Sequence, residues 1–339
     1  MSAQRHVSID APVAEVMTCV GILPKGGDIP EHLHLFLAQA SEAMDKVRAM
    51  IAEGEMQLEH GPEFQQLLVD VCARVMCHPV VESNLYLKRF AEGVTEAQAR
   101  YECQQFSVFA LNFDVAQAKL VANAPTEESY EERLNVLLNE KGIPYKDGFE
   151  GALTGHWQPG TVHFTWLRNM AKGLGLEFGE IGKQWLGKPG TQAFVKATFD
   201  YYASPNQNIA SGAAFAIENW AANYLWKPWI AGMEKLNAGR ASKINMGYLK
   251  YHDLEEQHHS QATIDELLDN FVEPWFDRDE FLQGAETMLT DGVEAYYCSQ
   301  LETMPDRDDT WPTSVVGPRR FDPESLPRVI EMAANAETH

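Results

Sequence analysis

The chain has few cysteines, a deficit of positive charge and no long apolar run, and each shortage removes a class of function. Five cysteines (Cys19, Cys72, Cys77, Cys103 and Cys298) are an odd number at irregular spacing, without the close pairs of a zinc knuckle. They read as reduced thiols, mostly core packing, and exclude a disulfide framework. Lys and Arg total 27 against 49 Asp and Glu, a formal net charge of −22. That charge opposes phosphate backbones and anionic lipid, so neither nucleic acid nor membrane is an expected partner. No stretch approaches the roughly 20 apolar residues of a membrane helix. The start, MSAQRHVSIDAPVAEV, lacks the basic, apolar and small-residue segments of a secretion signal, so the expected location is the cytoplasm. Convincing period-two alternation is missing, which leaves a sheet-based fold without support, and no internal repeat suggests a solenoid.

What is present is helical periodicity, in a chain of 339 residues that is 45% hydrophobic. Apolar positions three and four apart predict helices over residues 30–53, 63–76, 82–90, 95–121 and 127–141. Further helices are expected over 162–174, 190–203, 209–236, 246–271 and 277–304. A Gly- and Pro-punctuated insert, GIPYKDGFEGALTGHWQPG, separates the fifth from the sixth, and long irregular connections of this kind are often functional. The tail from Pro305 is rich in Pro, Asp and Arg, regains periodicity only over 326–334, and is expected to wrap the surface.

The strongest chemical signal is His252-Asp253-Leu254-Glu255-Glu256-Gln257-His258-His259. At 3.6 residues per turn His252, Glu256 and His259 stack on one helix face, where three donors converge as metal ligands do. Asp253, Glu255 and His258 read as a solvated surface. Glu218, in AAFAIENWAANYLW, is a carboxylate on an otherwise apolar helix face; burying it costs several kcal/mol unless it is paired or metal-bound. Alone it is equally one half of a buried ion pair, and the histidine helix tips the reading towards metal.

These segments resemble the later metal-binding helices of the haem-oxygenase-like diiron oxidases and oxygenases, a superfamily that includes thiaminase-like and pyrroloquinoline-quinone-synthase-like proteins. There one helix supplies a Glu, a following segment a His, a later helix a second Glu, and a last core helix His-x3-carboxylate-x2-His. The resemblance covers residues 60–275 and assigns Glu140 in LLNEKG, His163 in TVHFTW, Glu218, His252, Glu256 and His259 as ligands of two iron ions, ferrous in the reduced resting form. It implies an all-α, haem-oxygenase-like helical bundle spanning 61–304 with an insert at 142–160, preceded by a helical extension over 1–60 and followed by a tail over 305–339. This chain departs from the pattern in carrying Glu256 where many members have Asp, and in separating Glu140 from His163 by the insert. Glu150 in that insert is a candidate extra ligand by the same resemblance, with Asp147 and His156 nearby.

The donor set makes sense without the family. Three carboxylates and three imidazoles suit iron or manganese, whereas structural zinc draws on cysteine. The resemblance implies a dioxygen-dependent oxygenase that hydroxylates the nitrogen of a small amino acid or amine, with or without decarboxylation, in a natural-product pathway. Dioxygen would be the co-substrate, an external electron donor a partner, and a homodimer the assembly. Oxidative carbon–carbon cleavage of an aliphatic or amino acid is the alternative chemistry, and metal-free binding of a small molecule the alternative class. A ferritin-like fold would normally offer two Glu-x-x-His motifs, which Glu140 and Glu218 do not begin. The glycines of GLGLEFG (173–179) lack phosphate-loop spacing and a preceding strand, and His32 and His34, two residues apart, cannot share a metal on one helix face.

Overall fold

Three- and four-residue periodicity becomes helix almost everywhere the computed structural model describes, namely residues 8–143 and 159–329, without the side chains of Pro159, Glu256 and Gln257. Helix α1 (Val13–Val20), whose bounds the periodicity had not marked, and α2 (His34–Glu53) both stop at a glycine in the left-handed region, Gly21 at φ 96° and Gly54 at φ 79°. A residue with a Cβ resists that conformation. Helix α3 (His60–Val71) runs into a π-helical turn, Cys72–Met76.

The single helix expected over 82–90 is two helices, α4 (Pro79–Glu82) and α5 (Leu85–Glu92). Asn84 causes the break. Its side chain caps α5 by accepting from the Leu87 N–H at 3.0 Å, and its backbone forms an antiparallel bridge to Val316. A residue doing both sits outside helical geometry. Helix α6 (Glu96–Ala122) opens with a capping box between Thr95 and Gln98, and α7 (Glu127–Glu140) with a Thr126 cap. After the insert, whose residues 144–158 lie outside the described residues, come α8 (His163–Gly173) and α9 (Pro189–Ala197), the latter extended by a π turn at Thr198–Tyr202.

The helix expected over 209–236 is α10 (Gln207–Trp220) and α11 (Trp226–Ala238), joined without a loop by a π segment, Ala221–Leu225. Helix α12 (Gly247–Phe271) follows, then α13 (Arg278–Thr287), a π segment at Met288–Glu294, and α14 (Ala295–Thr303). The described chain is therefore all-α, with no strand beyond the Asn84–Val316 bridge. None of its helices is long and apolar enough to cross a membrane.

One continuous apolar core draws on α1 and α2 as well as on the helices after residue 60. Within it α10 and α13 cross at backbone contact. A Cβ on Gly212 would lie 1.9 Å from the Phe281 carbonyl oxygen, and one on Gly284 would lie 2.3 Å from that of Ile209. Only glycine permits this approach, and it fixes the axial position of α10, the helix that carries Glu218. The described part of the tail is tied down: the Val315 carbonyl accepts from the Leu85 N–H at 2.7 Å, the Val329 N–H donates to Gln66 at 2.6 Å, and Trp311 is buried. The expected periodic stretch at 326–334 passes outside the described residues after Val329.

Candidate metal centre

Glu140 is the last residue of α7 and His163 the first of α8, so the two helix ends bring them together across the insert. His252 enters from the second turn of α12. The ligand atoms of Glu140, His163 and His252 all lie within 4.8 Å of one another. Glu140 Oε2 is 2.9 Å from His163 Nδ1, and Oε1 is 3.7 Å from His252 Nε2. Both imidazoles are buried, with ring centroids 4.7 Å apart in an edge-on arrangement.

Electrostatics follows from that packing. Burial alone would raise the Glu140 pKa, but His163 and His252 outweigh it and hold the carboxyl well below the usual carboxylate range. A buried carboxylate that stays ionised between two imidazoles has the electronic character of a cation ligand. The ring orientation agrees: His252 Nδ1 is 2.7 Å from the Tyr248 carbonyl oxygen and donates to it, which turns Nε2 towards Glu140. Metal-binding histidines are commonly oriented by such a backbone acceptor. His163 Nε2 is buried without a hydrogen-bond partner among the described residues, an arrangement that costs about 1–3 kcal/mol when nothing compensates it.

Aromatic side chains fix these rings. Trp166 stacks on His163 at 5.0 Å, and Tyr251 meets His163 edge-on at 4.8 Å while its hydroxyl accepts from the Asn139 amide at 3.2 Å. Tyr248 and Trp226 lie 4.2 and 4.9 Å from His252.

A second pair stands beside the first. His259, seven residues after His252 and likewise buried, places Nδ1 3.5 Å from Oε2 of the buried Glu218. Glu140, Glu218 and His252 line one cleft, so ligands read from three separate stretches of sequence face a common space. Glu256 lies on α12 between the two histidines; its side chain, like the whole of Glu150, Asp147 and His156, is outside the described residues. His34 is exposed.

The structure adds residues that the sequence did not single out. Asp114 on α6 lines the same cleft; burial raises its pKa, Lys141 pairs with it and opposes the rise, and the Glu140 charge adds to it. Its one signal was a carboxylate in an aromatic stretch, FALNFDVAQ. Tyr202, in the π turn after α9, is fully buried; burial and the nearby Glu218 charge keep its hydroxyl protonated well above the usual range. The remaining walls are aromatic, with Phe106, Phe109, Phe113, Trp220 and Trp226 around the carboxylates.

The donors fit a divalent ion of the iron or manganese class: hard carboxylate oxygens and imidazole nitrogens, with no thiolate among the described residues that line the cleft. No protein-family model matches the chain, and no curated protein matches it.

Proposed function

We propose that the chain is a non-haem iron oxygenase, with dioxygen as co-substrate, acting on a small amine that has an apolar body. The observation that carries the reading is the meeting of Glu140, His163 and His252 at one end of an aromatic cleft that also takes in Glu218. Glu140, His163 and His252 would hold one ion, with Glu218, His259 and Glu256 as the donors for a second. Iron bound there supplies the redox capacity towards dioxygen that no amino-acid side chain has.

The chain's own residues orient the substrate. The Phe and Trp walls bury an apolar body and exclude water. Among the described residues, the charged side chains lining the cleft other than histidine are Asp114, Glu140 and Glu218. Glu140 and Glu218 would be taken up by metal, which leaves Asp114, paired with Lys141, as the carboxylate for a substrate ammonium. That carboxylate supports nitrogen oxygenation of an amine ahead of cleavage of an aliphatic acid. Hydroxylation of an amine nitrogen takes one oxygen atom from dioxygen, releases the other as water, and consumes two electrons and two protons. The electrons come from an external donor.

The test is anaerobic titration of metal-free protein with ferrous iron, followed by dioxygen uptake in the presence of apolar primary amines. Stoichiometric iron binding that His163→Ala and His252→Ala abolish, with uptake stimulated by amines over the matching carboxylic acids, is the expected result. Protein that takes up no iron, or takes it up equally in both variants, refutes the metal assignment; stimulation by acids alone refutes the substrate class.

A further inference from the structure

A second cluster of metal-ligand side chains lies away from the cleft, where α3, α4 and the tail meet. Cys77 ends the π turn Cys72–Met76, its N–H donating to the Cys72 carbonyl at 2.9 Å, and its side chain is buried. Glu82 ends α4. His32 belongs to a single 3-10 turn, Glu31–Leu33, before α2. These three residues come from separate segments, yet their ligand atoms all lie within 4.8 Å of one another. The buried Nε2 of His32 makes no hydrogen bond of ordinary geometry.

The tail contributes a cation at this place, Arg320. Arg320 donates from Nη2 to Cys77 Sγ at 3.2 Å, and its Nε forms an ion pair with Glu82 Oε1 at 3.0 Å. Its side chain is 35% exposed, and it reaches the cluster across more than two hundred residues of sequence. One guanidinium thus holds a sulfur and a carboxylate together, with the His32 imidazole beside the same sulfur.

We propose that His32, Cys77 and Glu82 form a zinc-class metal site, separate from the cleft, in which Arg320 occupies the cation's place when no ion is bound. A tetrahedral ion with bonds of ~2.0–2.3 Å sets its donors about 3.3–3.8 Å apart. Closing from the observed spacing takes side-chain rotation of roughly 1 Å, with no change in the helices. The thiolate decides the metal, because sulfur favours zinc and its borderline-soft neighbours over the iron or manganese suited to the oxygen and nitrogen donors of the cleft. Three protein ligands leave a coordination position open to water. The ion and the guanidinium compete for the same two anionic groups, so removing the guanidinium strengthens metal binding, whereas a purely structural Arg320 has no such effect.

Cobalt(II) reports the site directly, because a cobalt–thiolate bond has a near-ultraviolet charge-transfer band. Full-length protein, stripped of metal and kept reduced, is titrated with cobalt(II) and back-titrated with zinc. The expected result is a band that saturates at one equivalent and is bleached by zinc, is lost in Cys77→Ser and in His32→Gln, and persists in His252→Ala. Arg320→Gln is expected to tighten cobalt binding about tenfold, the effect of relieving one close charge repulsion near the surface. His32→Gln, on a half-exposed turn, keeps the test meaningful should Cys77→Ser fold poorly. Absence of the band in both the wild type and Arg320→Gln overturns the proposal, as does a band that survives Cys77→Ser or disappears in His252→Ala.

Discussion

Substituting Gly212 with alanine tests whether the α10–α13 crossing positions the cleft. The added Cβ would sit 1.9 Å from the Phe281 carbonyl oxygen, so α10 and α13 must separate by roughly 1 Å before the contact becomes tolerable, and the oxygen cannot rotate away because it is helix backbone. Overpacking in a close-packed interior costs typically about 1–3 kcal/mol, and a backbone clash of this depth belongs at or above the upper end. For a chain of this length 3 kcal/mol lowers Tm by about 4 °C. Gly284→Ala, whose Cβ would meet the Ile209 carbonyl oxygen at 2.3 Å, acts on the same crossing. Once the first methyl has parted the helices the second is partly accommodated, so the double variant should lose less stability than the sum of the singles. Because α10 carries Glu218, the displacement should also weaken ferrous iron binding even in the folded fraction. Differential scanning calorimetry of the four proteins, with iron titration below Tm, provides both readouts. A Gly212→Ala protein within about 0.5 kcal/mol of wild type, or strictly additive losses, would refute the argument that backbone contact sets this crossing.

Two further predictions concern groups on the far side of Glu218. Burial, reinforced by Glu266, Asp269 and Asp265, raises the Glu132 pKa to about 8; a carboxyl raised above its unfolded value favours the fold while protonated, so stability declines as pH rises from about 4.5 to about 8. Glu132→Gln should remove that decline and gain about 2 kcal/mol at pH 8 after solvent screening, and a pH-denaturation series parallel to wild type would count against it. Arg133 is buried and bonds Glu266 through Nη2 at 2.6 Å and Nε at 3.1 Å. Arg133→Met should therefore cost about 3–5 kcal/mol by leaving a buried carboxylate unpaired. Chemical denaturation should show most of this recovered in Arg133→Met/Glu266→Leu, and a double variant no better than the single would contradict the pairing.

The helices were legible because three- and four-residue periodicity reports burial directly. His252 and His259 were legible because seven residues make nearly two turns, and both are indeed buried on one face of α12. Glu218 announced itself as a charge among alanines and aromatics. Asp114 did not, since a single acid on a long helix carries the same pattern as a solvated one, and only the approach of α7 and its Lys141 places it in the cleft. The break at Asn84 was invisible for a related reason: its cause, Val316, is more than two hundred residues away in sequence. His32 was discounted as a partner for His34, a correct local argument that said nothing of Cys77 or Glu82. The π segments leave no compositional mark, because shifting a hydrogen bond by one residue changes no side chain.

That last feature bears on how the cleft tolerates changes in chain length. The segment Ala221–Leu225 lies between Glu218 and Trp226 within an uninterrupted helical rod, and Ala221 and Leu225 both line the cleft. A π turn holds one residue more than the α turn it replaces, so deleting a single residue there would leave a regular helix and a nearly intact backbone. Because the α turn that remains covers about the same rotation as the π turn it replaces, everything beyond the deletion would keep its face relative to Glu218, with Trp226 still on the wall and against His252. The rod therefore accepts the loss of a residue in its middle, where helices ordinarily cannot, and confines the change in the chamber to the stretch between Ala221 and Leu225.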